Sequence, residues 1–213
     1  MSRLTAGEAQ CRLWHGLIPA VPVPFTAKGE IDAAAQQKYV AWMAKQPIKG
    51  VAVWAHTGRG LLMKREQRIE VLRSWSEGLG PGKLVVAGVG GLPERAEDFS
   101  AYLDSALGMA RDALDHGAHA FLIHPPRLFH HVASNEDLLL TYHQALASTG
   151  APQFLFYLYE AAGGFPYSSE HLRTLFALPG VAGIKFATLD SVMTFQRITG
   201  LMAREFPKQR GTA

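Results

Sequence analysis

Lys185 is the residue from which the chemistry of this chain is most directly inferred. It stands in the apolar run Val-Ala-Gly-Ile-Lys-Phe-Ala at positions 181–187, in which no other residue is charged. Apolar neighbours disfavour the ammonium form, so they lower the pKa of a lysine from about 10.4 and free the amine to attack a ketone. The alternative is a lysine near a strand end that extends its amine into water. The spacing alone is compatible with both.

Further side chains able to bind ligands or move protons stand at the ends of the apolar runs. They are His56, Thr57, His124, Tyr157, Tyr159 and Glu160. Two histidines with a carboxylate can hold a divalent ion, so a metal-dependent lyase that uses His56, His124 and Glu160 is one alternative function. Lys185 would then have no role, which favours the lysine chemistry. We therefore expect neither a metal ion nor a cofactor.

The elements that must position these residues alternate along the chain. Six short apolar runs are each followed by a segment with apolar residues at helical spacing, the pattern of a parallel sheet covered by helices. The predicted strands are 16–23, 50–55, 83–89, 118–124, 153–159 and 181–187. The predicted helices begin at Asp32, Lys64, Asp98, Asn135, Ser168 and Asp190.

Nearly continuous apolar strands indicate a sheet buried on both faces, either open and doubly wound or closed into a barrel. In both architectures the chemistry collects at the carboxyl edge of the strands. The cluster Gly88-Val-Gly-Gly91 is suggestive of a dinucleotide loop. However, Pro93 takes the place of the third glycine of that motif, and no acidic residue ends the next strand. We expect no nucleotide site.

Composition limits the remaining function classes. A chain of 213 residues that is 48% hydrophobic can form one sizeable core, and we expect a single domain over residues 1–213. The net charge of +3 is scattered, so nucleic acid is not an expected partner. Cys11 is the single cysteine, which suits a reducing compartment. No apolar run reaches the roughly 18 residues that span a bilayer, so we expect a cytoplasmic protein.

Several segments, in order along the chain, resemble one known family. They are Pro19 to Thr26, Ala55 to Arg59, Val86 to Gly90, Gly117-Ala118 leading to His124-Pro-Pro126, and Gly183-Ile-Lys185. Together they are similar to the pyruvate-dependent class I aldolases and lyases, which include dihydrodipicolinate synthase and N-acetylneuraminate lyase. The resemblance implies a TIM-type barrel of eight strands with Lys185 on the sixth. It also implies an imine between this lysine and pyruvate or another 2-oxo acid, through which a carbon-carbon bond breaks or forms.

The resemblance assigns further roles by position. Counted back from Lys185 without a gap, Tyr157 falls on the family's tyrosine and would be the proton shuttle. Thr57 and Gly58 would bind the carboxylate of the 2-oxo acid. His56 replaces a hydroxyl of the synthase's proton relay. Tyr159, two residues from Tyr157 and so expected on the same strand face, would contact the substrate or fill the site.

The chain also departs from the family. Ala162 falls where the synthase has the arginine that holds its second substrate, Leu158 and Glu160 replace the Asn and Pro of its motif, and Arg127 or a neighbour replaces its second tyrosine. Dihydrodipicolinate synthesis is therefore not expected.

After Phe206 the family continues with two more strands, so we expect an incomplete barrel with about six of eight strand-helix units. There are three alternatives: a shortened and catalytically impaired remnant, a partner chain that fills the gap, and an open form. We also expect a homo-oligomer.

Overall fold

A parallel sheet of five strands forms the centre of the computed structural model, which describes residues 4–124, 135–189 and 191–207. Each strand pairs with the next along the chain. The strands are β1 (Gly50–Val53), β2 (Leu84–Val89), β3 (Ala120–Ile123), β4 (Gln153–Leu158) and β5 (Val181–Ala187). The helices are α1 (Ala6–Leu13), α2 (Ala33–Ala44), α3 (Arg65–Gly78), α4 (Phe99–Asp115), α5 (Asn135–Ala147), α6 (Ser169–Phe176) and α7 (Val192–Glu205).

The alternation of parallel strands and helices confirms the predicted fold class, an incomplete TIM-type barrel. The predicted strand 16–23 is wrong. This segment makes a single parallel bridge, Ala20 to Ala52, in which Val21 N–H donates to the Ala52 carbonyl at 3.0 Å. Prolines at positions 19, 22 and 24 have no N–H to donate, so a continuous ladder cannot form there.

Three predicted helix starts are confirmed as N-caps. The carboxylate of Asp32 accepts from Ala35 N–H, that of Asp98 accepts from Ser100 N–H, and the Ser168 hydroxyl accepts from His171 N–H. The predicted start at Asp190 lies outside the described residues, as does the position of Arg127. Within the part of the chain that is described, none of the helices combines the length and apolar character needed to cross a membrane.

Side chains leave the sheet on two faces and form two clusters, because successive strand residues point to opposite sides. The outer cluster lies between the sheet and α2 to α7 and includes Val53, Leu155, Tyr157 and Ile184. The interior cluster lines the inside of the barrel arc and consists of Ala9, Ala52, Ala55, Val86, Ala120, Leu122, Phe154, Phe156, Leu158 and Ala182.

Helix α1, which the sequence pattern did not predict, packs on the interior face. Its Ala9 is fully buried in the interior cluster, and the Gln10 amide donates to the Ala182 carbonyl at 2.8 Å. Because Ala182 is the second residue of β5, α1 covers the interior near the amino end of the strands. The loops, and not α1, lie at the carboxyl edge, where the sequence predicts the active site.

Candidate active site

Lys185 lies on the interior side of β5. It pairs in register with Phe156 of β4, so the two side chains leave the same face of the sheet. The Lys185 Nζ lies 4.3 Å from the centroid of the Phe156 ring. The lysine is half-buried, and this burial lowers the pKa of its amine from the ordinary value of 10.5. The amine therefore lies against an aromatic ring in a partly dry setting, as the sequence predicts for a nucleophile.

His124 follows β3 and contacts the same ring. Its centroid is 5.8 Å from that of Phe156, and its Nε2 is 3.1 Å from the Trp54 carbonyl oxygen. Burial lowers the pKa of His124 to about 4, so the imidazole is neutral at neutral pH. Because only an N–H can donate to a carbonyl, the bond assigns the proton to Nε2 and the lone pair to Nδ1. A neutral ring adds no positive charge beside the Lys185 amine.

The loop after β1 has an unusual backbone. Trp54 and Arg59 adopt left-handed conformations, with φ of 56° and 54°. Non-glycine residues in this region cost of order 1–3 kcal/mol and persist where packing fixes them. The Trp54 ring is fully buried and donates through Nε1 to the Arg68 carbonyl at 2.8 Å. This anchor holds the Trp54 carbonyl toward His124.

The glycine cluster at positions 88–91 allows neighbouring groups to pack closely around this loop. A Cβ on Gly88, in β2, would collide with the carbonyl oxygen of Trp54. A Cβ on Gly91 would collide with the Tyr102 ring. The backbone and ring therefore approach β2 and the segment after it at a distance that only glycine permits.

A cavity of about 490 Å³ opens at the carboxyl edge of the sheet. The loop after β1 lines it with His56, Arg59 and Leu61, and the ends of β3 and β4 add His124 and Leu158. This volume is typical of sites for small molecules. A larger groove of about 800 Å³ lies on the outer surface between α2 and α3, and none of the predicted site residues lines it.

Tyr157, the predicted proton shuttle, is not brought beside Lys185. It pairs with Phe186 and belongs to the outer cluster, where its ring centroid is 6.1 Å from that of Tyr167. The reason is a register shift in the pairing of β4 with β5, located between Gln153 and Phe154. The shift brings Phe156 opposite Lys185 in place of Tyr157, and a slip of one residue moves a side chain to the other face.

Tyr159 is placed differently from Tyr157. Because β4 ends at Leu158, the expectation that both tyrosines share one strand face is wrong. The Tyr159 N–H donates to the Ala187 carbonyl at 3.1 Å, just beyond Lys185 on β5. Its half-buried side chain packs against the interior cluster. Of these two phenols, Tyr159 is therefore the one on the side of the lysine.

The remaining predicted residues occupy the loops. His56 and Thr57 are exposed, and Gly58 is buried, where a Cβ would lie 2.9 Å from the Val21 carbonyl oxygen. Glu160 is exposed at the start of a short 3₁₀ helix. No three His, Cys, Asp or Glu side chains in the described ranges are grouped so that they could hold a metal ion. The metal-site alternative of His56, His124 and Glu160 is therefore wrong.

Three residues of the site were given no role from the sequence, namely Trp54, Arg59 and Phe156. A left-handed conformation at Trp54 or Arg59 has no signature in residue type, because neither residue favours it. Phe156 is one of several aromatic residues in β4, and only the strand pairing shows that it is the one opposite Lys185.

Comparison with known proteins gives consistent matches. The model of the Dihydrodipicolinate synthetase family matches residues 13–206. N-acetylneuraminate lyase 2 of Escherichia coli is 24% identical over 181 residues, covering 85% of this chain and 55% of that protein. N-acetylneuraminate lyase of Gallus gallus is 30% identical over 182 residues, covering 83% of this chain and 55% of that protein.

The fold likeness extends to solved structures. The crystal structure of dihydrodipicolinate synthase from Oceanobacillus iheyensis superposes with a TM-score of 0.75 at 22% sequence identity, covering 96% of this chain and 61% of that one. At this identity the likeness shows the shared fold. The chain spans about half the length of the curated relatives that it matches.

Proposed function

The chain belongs to the dihydrodipicolinate synthetase family, and from this premise we propose that it carries the lysine site of a Schiff-base aldolase or lyase acting on pyruvate or a related 2-oxo acid. The observation that carries the proposal is the position of Lys185. Its Nζ lies 4.3 Å from the Phe156 ring centroid, and burial lowers the pKa of the amine. A lysine whose pKa is lowered by burial is a better nucleophile toward a ketone than a fully solvated one.

The reaction begins when the Lys185 amine attacks C2 of the 2-oxo acid. The carbonyl oxygen takes up two protons, one of them from the attacking nitrogen, and leaves as water, which gives a protonated imine. In the cleavage direction a hydroxyl on C4 loses its proton, the C3–C4 bond breaks, and its electron pair forms an enamine while an aldehyde departs. The enamine then takes a proton at C3, and water adds to the imine carbon to release pyruvate and restore the amine.

These steps need a group that carries protons between the oxygen atoms. We assign this role to Tyr159, since its ring packs on the interior side, whereas Tyr157 lies in the outer cluster. A phenol placed within reach of the reacting oxygen contributes about 100- to 10,000-fold in such steps. Thr57 and Gly58 are proposed to bind the carboxylate of the 2-oxo acid, and His56 to contact the substrate from the cavity wall.

The proposal is tested by trapping the imine with borohydride in the presence of pyruvate. Tryptic mass spectrometry should find the adduct on the peptide that contains Lys185. Lys185→Met should lose the adduct, whereas Lys38→Met, a change at an exposed lysine of α2, should retain it. If the folded wild-type chain gives no adduct, or if the adduct forms equally in Lys185→Met, the proposed function is wrong.

We also propose that residues 1–213 form one domain, that the chain associates with itself and that it is located in the cytoplasm. In the described sheet β5 pairs only with β4, and exposed apolar side chains lie beside it at Leu189, Val192 and Met193. An unpaired strand edge with an apolar patch favours association with another chain. Size-exclusion chromatography with light scattering measures this, and a monomer at all concentrations would contradict it.

A further inference from the structure

The permanent charge among the residues that line the cavity at the carboxyl edge is positive. Among the described residues that line it there is no Asp, Glu or Lys, and Arg59 is the one side chain with a permanent charge. The other ionisable groups of the wall are His56, His124 and the Tyr102 phenol. Since burial keeps His124 neutral, the guanidinium of Arg59 decides the sign of the potential in the cavity.

Arg59 is held in place by its backbone and is not engaged by a carboxylate. Its φ of 54° is left-handed, its N–H donates to the His56 carbonyl at 3.1 Å, and its carbonyl accepts from Leu62 N–H at 2.9 Å. Within the described parts of the chain no ion pair or side-chain hydrogen bond is formed by its guanidinium. Arg59 is an exposed residue at the cavity wall, and its left-handed backbone is a strained conformation of the kind that collects at ligand sites.

The cavity adjoins the lysine. The His124 ring lines the cavity and lies 5.8 Å from the Phe156 centroid, and the Lys185 Nζ lies 4.3 Å from the same centroid. Leu158, two residues after Phe156 on β4, also lines the cavity. A molecule bound to the amine can therefore extend past His124 toward the loop that carries Arg59.

We propose that Arg59 binds a second carboxylate of the substrate, so that the site prefers 2-oxo acids with an acidic group at the far end of the carbon chain. This inference deepens the proposed function and rests on it for the position of the keto carbon. A planar guanidinium binds a carboxylate through two parallel hydrogen bonds. One cation next to a neutral imidazole matches a single negative charge, which favours a carboxylate over a phosphate ester.

The experiment compares two 2-oxo acids of equal chain length, 2-oxoglutarate with a second carboxylate and 2-oxopentanoate without one. The measured quantity is the concentration that gives half-maximal borohydride-trapped adduct on Lys185. For the wild-type chain this concentration should be about tenfold or more lower for 2-oxoglutarate. Arg59→Gln should remove the preference by raising the required concentration of 2-oxoglutarate to that of 2-oxopentanoate. Arg59→Lys should retain part of it.

Arg95→Gln is the matched control, because Arg95 is an exposed arginine nearby that does not line the cavity. This variant should keep the full preference. No preference in the wild-type chain, or a preference that survives in Arg59→Gln, would overturn the inference while pyruvate trapping still upholds the proposed function.

A separate measurement covers the case in which pyruvate itself gives no adduct. The proposed function is then wrong, and the Arg59 site is judged by calorimetric binding of glutarate and pentanoate, which have no keto group. Binding of glutarate about tenfold tighter than pentanoate, lost in Arg59→Gln, would uphold the carboxylate site. Equal binding of the two acids would refute it.

Discussion

Lys185 of β5 lies opposite Phe156 of β4, with its Nζ 4.3 Å from the ring centroid. The pairing exists because the register of the two strands shifts between Gln153 and Phe154. The shift brings an apolar ring opposite the amine in place of a tyrosine, and because its extra residue lies in β5, it turns Lys185 toward the interior face that Phe156 occupies. Tyr157, the next residue on β4, faces the outer cluster. The aromatic face attracts the ammonium form. Burial disfavours that form and lowers the pKa of the amine.

The two tyrosines should differ in their effect on imine formation. Tyr159→Phe should slow adduct formation on Lys185 by about 100-fold or more, since it removes the phenol on the interior side. Tyr157→Phe should leave the rate close to that of the wild-type chain, because its ring packs in the outer cluster. Single-turnover trapping with pyruvate measures both rates. A loss confined to Tyr157→Phe would show that the gap-free alignment, and not the observed register, describes the active form.

The reactivity of Lys185 should depend on pH differently from that of a surface lysine. Because burial lowers the pKa of its amine, a larger fraction of Lys185 is uncharged at a given pH than of a lysine with the ordinary value of 10.5. Reductive methylation followed across pH by peptide mass spectrometry should give Lys185 an apparent pKa below 10.5. An apparent pKa of 10.5 or above would contradict the desolvated setting.

Acid should destabilise the fold through two buried histidines. Burial lowers the pKa of His124 and of His143 to about 4, from about 6.5 in the unfolded chain. Between these values the unfolded state binds more protons, so stability is present above pH 6.5 and is lost as the pH falls toward 4. From pH 7.5 to pH 5 we expect each histidine to remove about 2 kcal/mol from the free energy of unfolding.

Urea unfolding at the two pH values measures this loss. His143 Nδ1 lies 2.9 Å from the Leu139 carbonyl, and its ring packs against Tyr142 and Tyr167. His143→Phe keeps an aromatic ring at this site and should lose about half of the acid sensitivity, although it is less stable at pH 7.5. An unchanged pH dependence in this variant would show that His143 does not titrate as its burial predicts.

Glycine substitutions test the close approach of the Trp54 backbone to β2. Gly88→Ala should lower the free energy of unfolding by about 1–3 kcal/mol, because its Cβ would collide with the rigid Trp54 carbonyl. Gly108→Ala is the control in the interior of α4, where a Cβ meets nothing within 4 Å. The control should gain about 0.5–1 kcal/mol from helix propensity. Chemical denaturation measures both, and equal effects would contradict the packing.

Much of the fold could be predicted because it is encoded locally. The apolar runs gave five strands at close to their observed bounds, and the side chains of Asp32, Asp98 and Ser168 cap helices as predicted. The segment 16–23 was the exception, since its prolines limit backbone pairing in a run that is otherwise apolar. Helix α1 was missed because its small interior contact, centred on Ala9, gives a weak apolar pattern.

The features of the site also divide into those that the sequence predicts and those that only the tertiary structure shows. The sequence by itself determined that a single lysine stands in a strand whose carboxyl end meets His124, Tyr159 and the Thr57 loop, because residue type and order suffice for that. Only the tertiary structure decided that Phe156 and not Tyr157 meets the amine, and that Arg59 lines the cavity. Strand register and left-handed turns depend on contacts between segments far apart in the chain, and a change of one residue in register reverses every side chain.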